Sequence, residues 1–225
     1  MEKKFPVEIA ILDDGVNTFA LNQHLNYIKT YVVWNNFVLP KTSEIEITHG
    51  TICANFIASL LHRVRIISIK VKDYKKKGHI CNLIRALNYC YRRDVDLINI
   101  SIGSTDSIDQ IFLEKSIKQL VEKGTVVVAA VSNSGDATYP ANLPGVIAVK
   151  HVVNNICTIT YQTKSYNIHL KLPTKIRLSG KDIYLKKTNS YYTAETTRII
   201  ADFMISNKSK NINEIIEDMV CKYSI

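Results

Sequence analysis

Four short runs of apolar, largely β-branched residues alternate with three stretches of helical periodicity, and this alternation constrains the fold more than any other feature of the chain. The runs are Val7 to Leu12, Val64 to Val71, Val95 to Ile100 and Thr125 to Val131. Short segments this rich in apolar residues suit buried strands. Between them, His49 to Leu61 carries apolar residues at 52, 56, 57, 60 and 61, which is helical spacing. Residues 79 to 93 place Ile80, Leu83, Ile84, Leu87 and Tyr91 on one predicted face. Ile108 to Glu122 forms a third predicted helix, with Gly124 as its C-terminal stop. Alternating strands and helices of this kind give an α/β fold, a mostly parallel central sheet flanked by helices.

The remainder fills in around that frame. Thr30 to Val38 reads as one further strand and Val146 to Val149 as another. Residues 150 to 185 read as short, alternating antiparallel strands punctuated by Pro173 and Gly180. Two helices, about 190 to 206 and 212 to 222, close the chain. With 225 residues and no repeat or linker, a single domain over 1–225 is expected.

In open parallel sheets, functional groups collect at the carboxyl ends of strands. The polar interruptions of this sequence fall there. Asp13 follows the first run, Ser101 and Gly103 follow the run ending at Ile100, and Asn133 follows the run ending at Val131. Singly, each has a plain alternative. Asp13 suits a turn, His49 a helix start, Asn133 a turn, and Ser190 a helix N-cap.

Their order and local contexts say more. Ile11-Leu12-Asp13-Asp14-Gly15-Val16, Thr48-His49-Gly50-Thr51-Ile52-Cys53-Ala54 and Asp96-Leu97-Ile98-Asn99-Ile100-Ser101-Ile102-Gly103 appear in that order. They are followed by the segments VVVAAVSNSG from Val126 to Gly135 and YPANLPGVIAV from Tyr139 to Val149. Together they resemble the subtilisin-like serine proteases, the subtilases, along almost the whole chain. The resemblance implies a three-layer subtilisin-like fold and a serine endopeptidase. It implies a catalytic triad of Asp13, His49 and Ser190, with Asn133 as oxyanion donor. It also implies that Ser101, Ile102, Gly103, Ala130, Val131 and Ser132 line the substrate cleft. The Asp, His, Ser order is that of subtilisin.

The serine segment departs most from the family pattern. Where subtilases have Gly-Thr-Ser-Met-Ala-(Ser/Thr)-Pro, this chain has Thr188-Asn189-Ser190-Tyr191-Tyr192-Thr193-Ala194. A catalytically impaired, peptide-binding subtilase-like module is therefore the alternative. Cys53, four residues after His49, falls on the same predicted helix face; it reads as a small buried residue or as a thiol able to influence the histidine.

Charge and composition narrow the rest. The net charge is +9, but the positives are scattered, with Lys75-Lys76-Lys77 and Lys186-Lys187 the densest runs. No aromatic-interleaved basic motif accompanies them, so solvated loops are expected and nucleic acid is not. A preference for acidic peptides is the weaker reading. The five cysteines are odd in number and match no zinc spacing. Reduced thiols in a reducing, cytoplasmic compartment are expected, with no metal and no cofactor. No apolar stretch is long enough to span a bilayer, and no signal peptide or pro-segment is expected ahead of Asp13. The expected partner is a peptide or protein substrate, in a narrow role such as removing a leader from a small precursor. Oligomeric state is left open.

Overall fold

The computed structural model describes residues 7–21, 28–59, 64–72, 80–209 and 211–224. The Lys75-Lys76-Lys77 run and the Leu60–Leu61 end of the first expected helix lie outside these residues. The main sheet is built from β1 (Val7–Asp13), β2 (Ile28–Trp34), β3 (Phe37–Pro40), β4 (Val64–Lys70), β5 (Leu97–Ile100), β6 (Val126–Ala130), β7 (Val146–Val153), β8 (Ile156–Tyr161) and β9 (Lys164–His169). Its strand order is β3-β2-β4-β1-β5-β6-β7-β8-β9. From β2 through β7 all neighbours pair in parallel, while β3, β8 and β9 join antiparallel at the two edges. A separate hairpin is formed by β10 (Lys175–Leu178) and β11 (Lys181–Tyr184).

Alternation along β1 shows how the layers form. Ile9 and Ile11 point into one core, shared with α1 (His49–Ala58), α4 (Asn189–Asn207) and α5 (Ile212–Tyr223). Ala10 and Leu12 point into the other, shared with α2 (Ile80–Arg93) and α3 (Ser107–Glu122). Successive strand residues face opposite sides, so a strand covered on both sides is mostly apolar: β6 is apolar throughout, whereas β1 carries Glu8 and Asp13 and β5 carries Asn99.

The chain leaves β1 for β2 and β3 and returns through α1 to β4, all on one side of β1, then crosses through α2 to β5 on the other side. Right-handed crossovers in opposite directions place α1 and α2 on opposite faces. The carboxyl end of β1, with Asp13, lies where this reversal leaves a crevice.

Three expectations need correction. Residues 30–38 are not one strand, because Asn35 and Asn36 adopt positive φ (41° and 73°) and turn the chain back into β3; such a turn suits adjacent asparagines. Tyr91 is exposed and Cys90 takes the buried position on α2. Thr188, not Ser190, is the N-cap of α4, so Ser190 lies inside its first turn. Elsewhere the antiparallel character of 150–185 holds, although β7 runs on to Val153 through an irregularity after His151.

Candidate active site

The site begins with the junction of β1 and α1. Thr48 caps α1 reciprocally: its Oγ1 accepts from Thr51 N at 3.0 Å, and Thr51 Oγ1 accepts from Thr48 N at 3.2 Å. The Asp14 carboxylate accepts from Gly50 N at 2.8 Å and His49 N at 3.3 Å, where the positive end of the helix dipole favours an anion. Burial raises the Asp14 carboxyl above its ordinary value and the Asp13 charge adds to this, while the Gly50 N–H works the other way. These bonds bring the first residue of α1 against the last of β1.

That residue is His49. Its Nδ1 lies 2.8 Å from Oδ2 of buried Asp13, whose Oδ1 accepts from Asp14 N at 2.9 Å. Asp13 thus holds the imidazole by one edge and leaves Nε2 on the other. Burial opposes a charged ring, the Cys53 sulfur and the Asp13 carboxylate favour it, and the balance raises the His49 pKa above 6.5. Complete burial pushes the Cys53 thiol up as well, while the His49 ring beside it works the other way.

Gly50 permits the close approach. A Cβ there would sit 2.4 Å from the Gly15 carbonyl oxygen and 3.1 Å from Asp13 Cβ. Gly50→Ala is expected to lower stability by about 1–3 kcal/mol and to shift His49 away from Asp13. Thermal unfolding checks this; an unchanged Tm would show that the junction relaxes freely.

Ser190 and Asn133 arrive from the other side. Asn189, at the start of α4, is bracketed by the strand ends. Its N–H donates to Asn133 Oδ1 at 3.0 Å, its Nδ2 donates to the Val131 and Ser132 carbonyls at 2.8 and 3.1 Å, and its Oδ1 accepts from His151 N at 2.7 Å. Because a backbone N–H can only donate, the Asn133 oxygen faces Asn189 and its Nδ2 is left to donate elsewhere. Asn133 and Ser190 line one cavity of about 570 Å³. The expected cleft residues Ser101, Ile102, Gly103, Ala130, Val131 and Ser132 line it too. At Gly103 a Cβ would meet Thr138 Cγ2 at 2.5 Å, so that wall tolerates no side chain.

No hydrogen bond joins Ser190 to His49 among the described residues; such bonds often tighten only when substrate binds. The two are linked instead through Tyr191, which follows Ser190 and stacks on the His49 ring at a centroid distance of 5.3 Å and 20°. Phe56 backs Tyr191 at 5.8 Å. The sequence marks Tyr191 and Asn189 only by their position beside Ser190, at the points of departure from the family pattern. Cys53 Sγ lies 3.9 Å from His49 Nδ1 and 3.7 Å from Ser101 Oγ, as its helical spacing predicts. Donor atoms of Asp13, His49 and Cys53 fall within 4.8 Å of one another. They make three ligands, one short of a structural zinc set, and Nδ1 is already engaged with Asp13.

A doubly covered parallel sheet with an Asp–His pair and an Asn–Ser pair brought together at its carboxyl ends is the subtilisin-like three-layer α/β architecture. The chain belongs to the subtilase family, whose model matches residues 6–209. It is 28% identical over 160 residues to the Subtilisin-like protease SBT6.1 of Arabidopsis thaliana, covering 66% of this chain and 15% of that protein. It is 30% identical over 151 residues to the Thermophilic serine proteinase of Bacillus sp. (strain AK1), covering 63% of this chain and 37% of that protein. The chain thus spans well under half of either relative. Among solved structures, the Prenylagaramide maturation protease PagA shares the fold with a TM-score of 0.67 and 23% identity, over 91% of this chain and 78% of that one.

Proposed function

We propose that this chain is a serine endopeptidase in which Asp13, His49 and Ser190 form the triad and Asn133 the oxyanion donor. One observation carries the reading: the Asp13–His49 bond of 2.8 Å stands beside a cavity in which Ser190 and the free amide end of Asn133 meet. A serine hydroxyl is a weak nucleophile until a base removes its proton. His49 Nε2 takes that proton as Ser190 Oγ attacks the substrate carbonyl, and Asp13 holds the tautomer and stabilises the imidazolium. Negative charge then develops on the carbonyl oxygen. Asn133 Nδ2 and the Ser190 N–H, which has no intrahelical partner in the first turn of α4, donate to it. His49 returns the proton to the leaving amine, and water hydrolyses the acyl-enzyme by the same steps. Ser101 to Gly103 and Ala130 to Ser132 pair with extended substrate backbone.

Labelling with a fluorophosphonate, followed by peptide mapping, tests the assignment. Adduct on Ser190 that disappears in His49→Ala supports it. A folded protein with no adduct favours the peptide-binding alternative, which the missing Ser190–His49 bond and the changed residues Thr188, Asn189 and Ala194 recommend. The pH dependence supplies a second check. The base must be neutral, and its pKa is raised, so activity is present above the folded pKa and lost as pH falls through it. The rising limb of kcat/KM against pH is expected above pH 6.5; a limb below that value would mean that burial of the ring outweighs the pull of Cys53 and Asp13.

The narrower role is a processing peptidase that removes a leader from a small precursor. Its support is the shared fold with a maturation protease, and broad degradation of casein would exclude it. All five cysteines are unpaired, which suits a reducing cytoplasm. No helix among the described residues is long and apolar enough to cross a membrane.

A further inference from the structure

A second depression adjoins the first at Asn133. It encloses about 580 Å³ and shares Ser132 and Asn133 with the cavity that holds Ser190. Its walls carry Lys150 and His151 from β7, and Lys186 and Lys187 from the segment between β11 and α4, immediately ahead of Ser190. Lys187 Nζ donates to Asn154 O and to Asn155 Oδ1, both neutral acceptors. Lys150 and Lys186 are exposed. Among the described residues no carboxylate pairs with any of the three lysines. Asp136, close in sequence, accepts instead from Ser134 Oγ. The first cavity differs, with one cation, Lys72, and one anion, Asp109, on its walls. Positive charge is therefore gathered on one side of the oxyanion position.

We propose that this depression is a subsite for acidic side chains in the part of the substrate released as the amine. The inference rests on the peptidase reading above. The two segments that pair with substrate backbone, Ser101–Gly103 and Ala130–Ser132, lie in the first cavity. The scissile carbonyl sits at Asn133 and Ser190, so a chain continuing past Asn133 enters the basic depression. Uncompensated ammonium groups there favour Asp or Glu over neutral residues, and the net charge of +9 steers acidic peptides towards the molecule. Each exposed pair is weak, so the combined preference is about three- to tenfold in kcat/KM and fades as salt screens it.

The test profiles cleavage of a pool of proteome-derived peptides by the wild type and by the Lys150→Ala/Lys186→Ala double variant. Lys187 is left in place because it bonds the turn at 154–155. One cleaved sequence is then remade with Glu or Gln at each of the first three positions after the scissile bond. The expected result is enrichment of Asp and Glu after the scissile bond and a Glu preference of about three- to tenfold at low salt. The preference should fall towards one in about 1 M salt and in the double variant. Equal kcat/KM for Glu and Gln at all three positions, with the peptides still cut, overturns the inference alone. So does an acidic preference confined to the acyl side. No cleavage by the wild type together with no fluorophosphonate adduct on Ser190 removes the peptidase reading, and the subsite with it.

Discussion

Ser190→Ala is expected to reduce kcat by roughly 10⁶, a magnitude carried over from subtilisin, with His49→Ala equally severe and the double variant little worse. In the proposed triad the members act as a unit, so once either is lost the other has nothing to do. Stability separates the two variants. Ser190 Oγ makes no hydrogen bond among the described residues, so Ser190→Ala should leave the Tm unchanged. His49→Ala strips buried Asp13 of its partner and Tyr191 of its stacking surface, which is expected to lower stability by about 1–3 kcal/mol. Peptidase assays with thermal unfolding on both variants check these outcomes. Full activity in Ser190→Ala would move the nucleophile elsewhere.

Asn133→Ala is expected to slow kcat by about 10²–10³ with little change in KM, again a magnitude carried over from subtilisin. The structure adds a complication, because Asn133 Oδ1 also accepts from Asn189 N and so helps to seat α4. Asn133→Asp separates the roles. It keeps an acceptor for Asn189 but loses the donor and adds a negative charge beside the developing oxyanion. Its kcat should be at least as low as that of Asn133→Ala, while its helix anchoring should be closer to wild type. An Asp variant with near-normal kcat would mean that Asn133 acts only through Asn189.

Much of the candidate site is legible in the sequence. Asp13, His49 and Asn133 sit where apolar runs stop or helical spacing starts, and those boundaries are visible within a few residues of sequence. The spacing of Cys53 from His49 translated directly into a 3.9 Å approach because one helix carries both. The β2–β3 turn is not legible in the sequence because Asn35-Asn36 interrupts an apolar stretch without glycine or proline. Serine favours the cap position, yet Thr188 takes it without a side-chain hydrogen bond. Asn189, held by the bracket from Val131, Ser132, Asn133 and His151, begins the helix one residue earlier than expected.

The sequence by itself determined the alternation of strands and helices, the layering of an α/β fold and the identity of the polar residues at the strand ends. Those properties follow from side-chain periodicity and local backbone preference, which act over short windows. Only the tertiary structure decided that Tyr191 stacks on His49, that Asn189 is bolted to residues 56 to 58 positions earlier in the chain, and that Lys150 joins Lys186 and Lys187 around one depression. By itself the Lys186-Lys187 pair reads as a solvated loop. Such contacts depend on strand order and on where α4 docks, and burial of apolar surface across the whole sheet settles both.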